Sequence, residues 1–404
     1  MKKNLDRAGF GSICVSEFHD DKHGSTAPPI HATSTFEFES SEDGMERFTG
    51  KKKGYIYSRW ANPTVNAVEK KLMRLETFGL NLPTKPKALL FASGMGAHAT
   101  VLLGLLKQGD AILTHFSLYG GSDQFIKKML PQYGINAVIE DLRNLNKASE
   151  ALKKNASIKL LYLETPANPT NQCVDLEALC KLAREKNITV VCDNTFASPY
   201  LQQPLKFGAH YVMHSTTKYL NGMGTAVGGA LIAADGKEMK TKLTQHYRLM
   251  GANANPFDAF LLNLGMKTLE LRMQRHCSNA MTLAKFLAGN SAVSTVSYLG
   301  LENHADHLLA KKQMKDFGGM ISFELKNGFD AGVKFMNAVQ LCTRAVSLGA
   351  AETLVSHPAS MSHHAVPREE RLQYGITDGM IRMSVGLETP EDLLNDLEQA
   401  LAKN

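Results

Sequence analysis

The sequence predicts an α/β fold: a mostly parallel sheet of about seven strands with helices on both faces, an extended arm ahead of it and a smaller α/β region behind. Three observations carry this expectation. Seven short apolar runs fall between residues 87 and 233, helix-length stretches separate most of them, and beyond residue 255 the rhythm changes to one long helical pattern. At 404 residues and 44% hydrophobic content, the chain can bury a large core.

Taken in order, residues 1–60 show little periodicity and many turn formers, as in HGSTAPPIHATSTFEF, and read as an extended arm. Residues 62–78 place Val65, Val68, Leu72, Leu75 and Phe78 on one helical face. The strands follow at 87–92, 111–115, 136–140, 158–164, 188–193, 210–214 and 228–233. A long helical segment, 258–288, repeats Phe260, Leu264, Leu269 and Met273 at helical spacing, and strands near 319–325 and 380–385 belong to the last region. A boundary near 255 divides the chain into an arm (1–60), a sheet domain (61–255) and a C-terminal domain (256–404).

Charge and cysteine usage narrow the function classes. The net charge is +6, but 45 basic and 39 acidic residues are interspersed, and the one compact basic run, Lys51-Lys52-Lys53, reads as a solvated loop rather than a nucleic-acid patch. Cys14, Cys173, Cys180, Cys192, Cys277 and Cys342 form no CxxC pair and read as buried free thiols in a reducing compartment. The N-terminal MKKNLDRAGFGS lacks a signal-peptide core and no run approaches a membrane span, so a cytoplasmic protein is expected. His357, His363 and His364 have no carboxylate or cysteine at ligand spacing, so loop packing is expected there and no metal.

The chemistry gathers where strands end, because functional groups of an open parallel sheet collect at its carboxyl edge. Asp193 ends the strand ITVVCD, and Lys218, in HSTTKYLNGMG, lies four residues beyond another. A buried lysine is costly unless it is paired or reactive. A third strand runs into Ser93-Gly94-Met95-Gly96 and then a helix, whose free N–H groups and dipole suit a phosphate. Alone, the glycine loop is a tight turn, the aspartate a cap and the lysine a surface residue. Together, an amine, a carboxylate and a phosphate cradle fit pyridoxal 5'-phosphate, which needs a lysine for its aldehyde and a carboxylate for its ring nitrogen.

The stretch VVCDNTFASPYLQQPLKFGAHYVMHSTTKYLNG, residues 190–222, resembles the cofactor-lysine signature of the Cys/Met metabolism PLP-dependent family. GYIYSRWANPT, FASGMGA, LYGG, LETPANPTN and HPASMSHHAVPREERLQYGITDGMIRMSVGLE resemble further family blocks in family order, so the likeness covers nearly the whole chain. It implies an aminotransferase-like fold of type I and, residue by residue, a site. Lys218 would form the Schiff base and shuttle protons, and Asp193 would pair with the pyridinium. Ser93, Gly94, Met95, Ser215 and Thr217 would hold the phosphate, with Asn168 near the ring. Tyr119 would stack on the ring and act as an acid toward the leaving group. Tyr57 and Arg59 would come from the neighbouring subunit, which requires a homodimer and leads on to a homotetramer. Arg382, through a bidentate fork, and Ser347 would hold the substrate carboxylate. From the residues alone, without the resemblance, Tyr119 reads rather as a core aromatic with a satisfied hydroxyl and Arg382 as a structural ion pair.

Departures from the family pattern bear on the substrate. Val346, where cystathionine enzymes place a glutamate, resembles the methionine γ-lyases and suits an apolar side chain. Gly121 stands where those lyases carry a cysteine, Tyr247-Arg248 replaces their Lys-Asp pair, and the GT-A-GG of NGMGTAVGG, with Met223 in place of a common histidine, resembles the sulfhydrylases. The reading is therefore a PLP-dependent lyase acting at the γ-carbon of a sulfur-containing L-amino acid. The alternatives are a γ-replacement transferase (cystathionine γ-synthase or O-acylhomoserine sulfhydrylase), a cystathionine γ-lyase, or a catalytically silent relative, against which the full set of cofactor residues argues.

Overall fold

A computed structural model describes residues 5, 7–17, 24–362, 364 and 366–403. The seven apolar runs become β1 (Lys87–Phe91), β2 (Ala111–His115), β3 (Asn136–Glu140), β4 (Ile158–Glu164), β5 (Thr189–Asp193), β6 (Tyr211–Ser215) and β7 (Gly229–Ala233). They form one sheet in the order β1-β7-β6-β5-β4-β2-β3, parallel except for β7, which runs antiparallel to both its neighbours. The parallel strands therefore end together at one edge, which carries Ser215, Asp193 and Glu164, and β7 begins there at Gly229.

Alternation along each strand sends successive side chains to opposite faces. Tyr162, Val191, Tyr211 and Leu231 pack under the helix Gly94–Leu105, whereas Leu161, Leu163, Val190 and Cys192 pack on the other side against the helices Leu145–Lys154 and Leu176–Glu185. Strands buried on both faces read as unbroken apolar runs, which made them visible in the sequence.

The helix Pro63–Glu76 begins where Asn62 accepts a hydrogen bond from the Thr64 N–H and proline occupies the first turn. Its Val65, Val68, Leu72 and Leu75 are buried as expected, and Phe78 packs against the same core from just beyond the helix end. The arm is less extended than its turn formers suggest, since it contains the helices Phe10–Ser16 and Ser41–Thr49. Ser40 caps the second by accepting from the Asp43 N–H, and Gly50 closes it at φ 75°. The first is held by tertiary burial of Phe10, Ile13 and Cys14 in the core that also contains Val68 and Leu72.

The long helical segment is two helices, Pro256–Met266 and Leu269–Gly289, interrupted at Lys267-Thr268. The expected face holds only in the second helix, where Leu269 and Met273 are buried; in the first, Leu264 is exposed and Phe260 half-buried, and Ala259, Leu262 and Met266 face the core instead. The end of the first is secured by the Arg272 guanidinium, which donates to the Gly265 and Tyr219 carbonyls at 2.8 Å each. A second sheet, in the order β10-β11-β12-β9-β8, comprises β8 (Val293–Ser297), β9 (Met320–Leu325), β10 (Thr343–Arg344), β11 (Leu354–Ser356) and β12 (Met380–Ser384). Only β9 and β12 are expected from the sequence; the others are two or three residues long or, in β8, largely polar and half exposed. The second helix ties this sheet to the first domain: His276 Nδ1 bonds the Val385 carbonyl at 2.6 Å and Asn279 donates to the Gly386 carbonyl at 3.1 Å. Among the described residues no helix is long and apolar enough to cross a membrane.

Candidate active site

The turn after β1 builds an anion cradle. Ser93 caps the helix Gly94–Leu105 by accepting from the Gly96 N–H at 3.0 Å, and its carbonyl accepts from Ala97. The N–H groups of Gly94 and Met95 thus head a twelve-residue helix and face past its end. Gly94 is glycine for a steric reason: a Cβ there would lie 3.0 Å from the Ser215 Cβ and 3.2 Å from its Cα. Without it, the ends of β1 and β6 close to contact and bring the Ser215 hydroxyl to the cradle. Thr217 is held beside it, its hydroxyl donating to the Gly228 carbonyl at 3.2 Å and accepting from the Gly228 N–H at 3.0 Å.

Lys218 leaves β6 just beyond these hydroxyls, and its Nζ donates to the Ser347 Oγ at 2.6 Å. Burial, and then the charge of Arg382, push this amine down from 10.5 to about 8, so roughly a tenth of it is neutral at neutral pH. Ser347 is a non-glycine residue at φ 88°, a backbone conformation that persists only when its surroundings hold it. They do so from two sides. Arg382, at the centre of β12, donates to the Ser347 carbonyl at 2.7 Å and to Asn168 Oδ1 at 3.0 Å. Gly349 abuts the backbone of Tyr219, where a Cβ would approach the Tyr219 nitrogen to 2.6 Å.

Arg382 is therefore not a structural ion pair. Among the described residues no carboxylate partners it, its Nε is buried without a hydrogen bond, and burial lowers its pKa to about 10. An unneutralised, desolvated guanidinium beside a lysine is a site for an anion from outside. Nor is Tyr119 a core aromatic, since the residue is 48% exposed. Val346, next to Ser347, is 60% exposed.

Asp193 ends β5 beside Glu164 at the end of β4, the two being direct partners in the parallel register. Asp193 Oδ1 accepts from the Thr195 N–H at 2.9 Å and from its hydroxyl at 2.5 Å, and the Thr195 Oγ1 in turn accepts from the Ser215 N–H at 2.8 Å. Burial is the first cause raising both carboxyls, and the Asp193 charge adds to it at Glu164, which is pushed up to about 8. Glu164 was not expected from the sequence, where it reads only as the last residue of a strand. In the fold its Oε2 accepts from the Tyr119 N–H at 2.8 Å and its Oε1 from the Asn168 N–H at 3.0 Å, so one carboxyl tethers two predicted site residues.

Two predicted residues lie apart from this cluster. Arg59 donates to the Arg248 carbonyl and lies 5.5 Å over the Tyr57 ring, and Tyr57 bridges to Thr35 in the arm. Tyr247 is buried edge-on against Phe91 at 5.1 Å. His357 is occupied in packing, with Nδ1 2.9 Å from Ser360 Oγ and Nε2 2.7 Å from the Asp378 carbonyl, while His363 lies outside the described residues.

A model of the family described as Cys/Met metabolism PLP-dependent enzyme matches residues 12–402. The chain belongs to this family. The Cys/Met metabolism PLP-dependent enzymes similar to it include an L-methionine gamma-lyase of Fusobacterium nucleatum subsp. nucleatum, 46% identical over 401 residues and 99% of each chain. A cystathionine beta-lyase of Coxiella burnetii is 42% identical over 383 residues, 95% of this chain and 94% of the other. Among solved structures, a cystathionine gamma synthase from Xanthomonas oryzae pv. oryzae, in complex with aminoacrylate and cysteine, superimposes with a TM-score of 0.90 at 37% identity, covering 98% of each chain. Membership makes this an α/β enzyme of fold type I that uses pyridoxal 5'-phosphate. The residues fit that cofactor: a capped helix end with two outward N–H groups, an amine lowered to about 8 and a buried carboxylate stand along one sheet edge. A β-lyase is a reaction the sequence reading does not consider.

Proposed function

We propose that this protein eliminates the γ-substituent of a sulfur-containing L-amino acid, with L-methionine as leading substrate, yielding an α-keto acid, ammonia and a thiol. One observation carries the choice: the carboxylate anchor of Arg382 and Ser347 has at its side an exposed apolar residue, Val346, rather than a charged one. A methyl thioether suits that neighbour. The methionine lyase relatives agree with it.

Pyridoxal 5'-phosphate, when bound, supplies the electron sink that makes the Cα and Cβ protons removable. Ser93, Gly94, Met95, Ser215 and Thr217 would hold its phosphate, Asp193 would keep its ring nitrogen protonated and Asn168 would lie near the ring. Lys218 anchors the cofactor and carries the proton between substrate carbons; an amine lowered to about 8 can both take and return it. Arg382 and Ser347 orient the substrate through its carboxylate. Tyr119, half exposed, would stack on the ring and give a proton to the departing sulfur.

We further read the chain as the arm 1–60, a cofactor domain 61–255 and a C-terminal domain 256–404, assembled as a homodimer that pairs into a homotetramer. Tyr57 and Arg59, which contact Thr35 and the Arg248 carbonyl rather than Lys218, would then serve the phosphate of the neighbouring copy, and Tyr57 its substrate as well. A cytoplasmic location accords with six buried, unpaired cysteines.

γ-Replacement with an incoming thiol is the second reading. Gly121 favours it: a Cβ there would lie 2.6 Å from the Tyr119 ring, so the tyrosine occupies space that a side chain at 121 would need. Purified, PLP-loaded protein given L-methionine without thiol should release α-keto acid, and Lys218→Ala should abolish both turnover and the cofactor's visible absorbance. Release from neither methionine nor cystathionine would reject elimination and leave replacement.

A further inference from the structure

Two fully buried rings, His98 and Tyr162, stack on each other next to the carboxyl pair of Asp193 and Glu164. His98 lies one turn into the helix Gly94–Leu105, and among the described residues neither of its ring nitrogens has a hydrogen-bond partner. Burial lowers its pKa to about 3, so the ring is neutral. A buried polar group without a partner costs stability, and its presence calls for another reason. The reason on view is its neighbour: the His98 and Tyr162 rings have centroids 4.9 Å apart and planes only 17° from parallel, and Phe125 closes on His98 from another side at 5.3 Å.

Tyr162 stands in β4 two residues before Glu164, and Glu164 pairs with Asp193 in the strand register. Side chains two apart share a face of the sheet, so Tyr162, Glu164 and Asp193 lie together on the face covered by the helix Gly94–Leu105. The Tyr162 hydroxyl lies 3.5 Å from Ser122 Oγ and is a hydrogen-bond partner of the Asp193 carboxyl. Burial, and then the charges of Asp193 and Glu164, hold the phenol well above its usual pKa of 10, so it keeps a proton to donate. Burial raises the Asp193 pKa, and the groups that oppose it are the Thr195 hydroxyl and N–H, the His214 ring from β6 and the Tyr162 hydroxyl from β4.

We propose that Tyr162, its ring held in plane by His98, is a positioning residue that keeps Asp193 ionised for the cofactor's ring nitrogen. The inference rests on the reading of Asp193 as the partner of that nitrogen. Without the phenol, Asp193 takes up a proton more readily and supports the nitrogen's proton less. A cofactor ring that lacks this proton is a weaker electron sink, and its visible absorbance titrates at higher pH.

The test follows the visible absorbance of the PLP-loaded protein across pH, and the cofactor's Kd from its release on dilution, in Asp193→Asn, Tyr162→Phe, His98→Leu and His98→Phe. Asp193→Asn should raise the pH midpoint most. Tyr162→Phe, which keeps the ring and its volume, should raise it by part of that amount and weaken Kd about tenfold, the effect of one hydrogen bond to a charged group. His98→Leu, which keeps apolar bulk but no flat ring, should shift the midpoint less in the same direction, whereas His98→Phe, which restores a flat ring without nitrogens, should return it to wild type. A Tyr162→Phe protein with wild-type midpoint and Kd, beside an altered Asp193→Asn, overturns the proposal, as does a His98→Leu protein indistinguishable from His98→Phe. Should Tyr162→Phe fail to fold, the contrast between the two His98 variants still decides. If Asp193→Asn itself keeps the wild-type midpoint, the role of Asp193 is what fails, and the proposal falls with it.

Discussion

Replacing Glu164 tests whether one buried carboxyl holds the site together. It accepts two backbone N–H groups, from Tyr119 at 2.8 Å and Asn168 at 3.0 Å, and Asn168 Oδ1 in turn accepts one hydrogen bond from the Arg382 guanidinium. Glu164→Ala leaves two donors unsatisfied at about 1–3 kcal/mol each, and should destabilise the protein by about 2–6 kcal/mol. Glu164→Gln keeps one acceptor but turns an NH2 toward the other donor, so about half of that loss is expected. Turnover should fall further than stability, since a 1 Å misplacement near reacting atoms costs roughly a hundredfold. The variants also carry a pH signature. Glu164 titrates at about 8 in the fold, well above an unfolded glutamate near 4.5. The folded state therefore holds the extra proton between those values, and stability present at low pH is lost as pH rises toward 8, at up to about 1.4 kcal/mol per pH unit. Thermal melts of the cofactor-free protein between pH 5 and 8 should show this slope, and Glu164→Gln should flatten it. A Gln variant with wild-type melting temperature, slope and kcat would refute the tether.

Other expectations follow from the same contacts. Cofactor loading of the stripped protein, followed by absorbance, should speed about tenfold per pH unit below 8 and level off above, because the neutral Lys218 amine reacts and its pKa is lowered to about 8. Ser347→Gly should melt no lower than wild type, since glycine relieves a φ of 88° whose cost is about 1–3 kcal/mol, yet lose turnover with the hydroxyl 2.6 Å from Lys218. Arg382→Lys should raise KM by about a hundredfold, near 3 kcal/mol, because a point charge cannot serve Asn168 Oδ1, the Ser347 carbonyl and a carboxylate together; kcat and KM measured separately would reveal it.

Local pattern determined a good part of this protein. The seven strands were legible because burial on both faces leaves uninterrupted apolar runs, and Lys218, Asp193 and Ser93 because a parallel sheet delivers strand ends to one edge. Short-range rules also located the helix behind Asn62-Pro63. They failed where stability is tertiary: the arm helix Phe10–Ser16 rests on the core it covers, and β8, β10 and β11 are too short or too polar to announce themselves.

What the tertiary structure alone decided is how distant residues meet. Glu164 gains its role from strand register with Asp193 and from the returning turns that aim the Tyr119 and Asn168 N–H groups at it. Lys218 and Ser347 are 129 residues apart in the chain and 2.6 Å apart in space, and Arg382 becomes an unpaired buried cation only when β12 closes over Asn168. Periodicity and spacing report local conformation and burial, whereas charge, strain and proton affinity depend on which groups are packed together and on how much water the packing excludes.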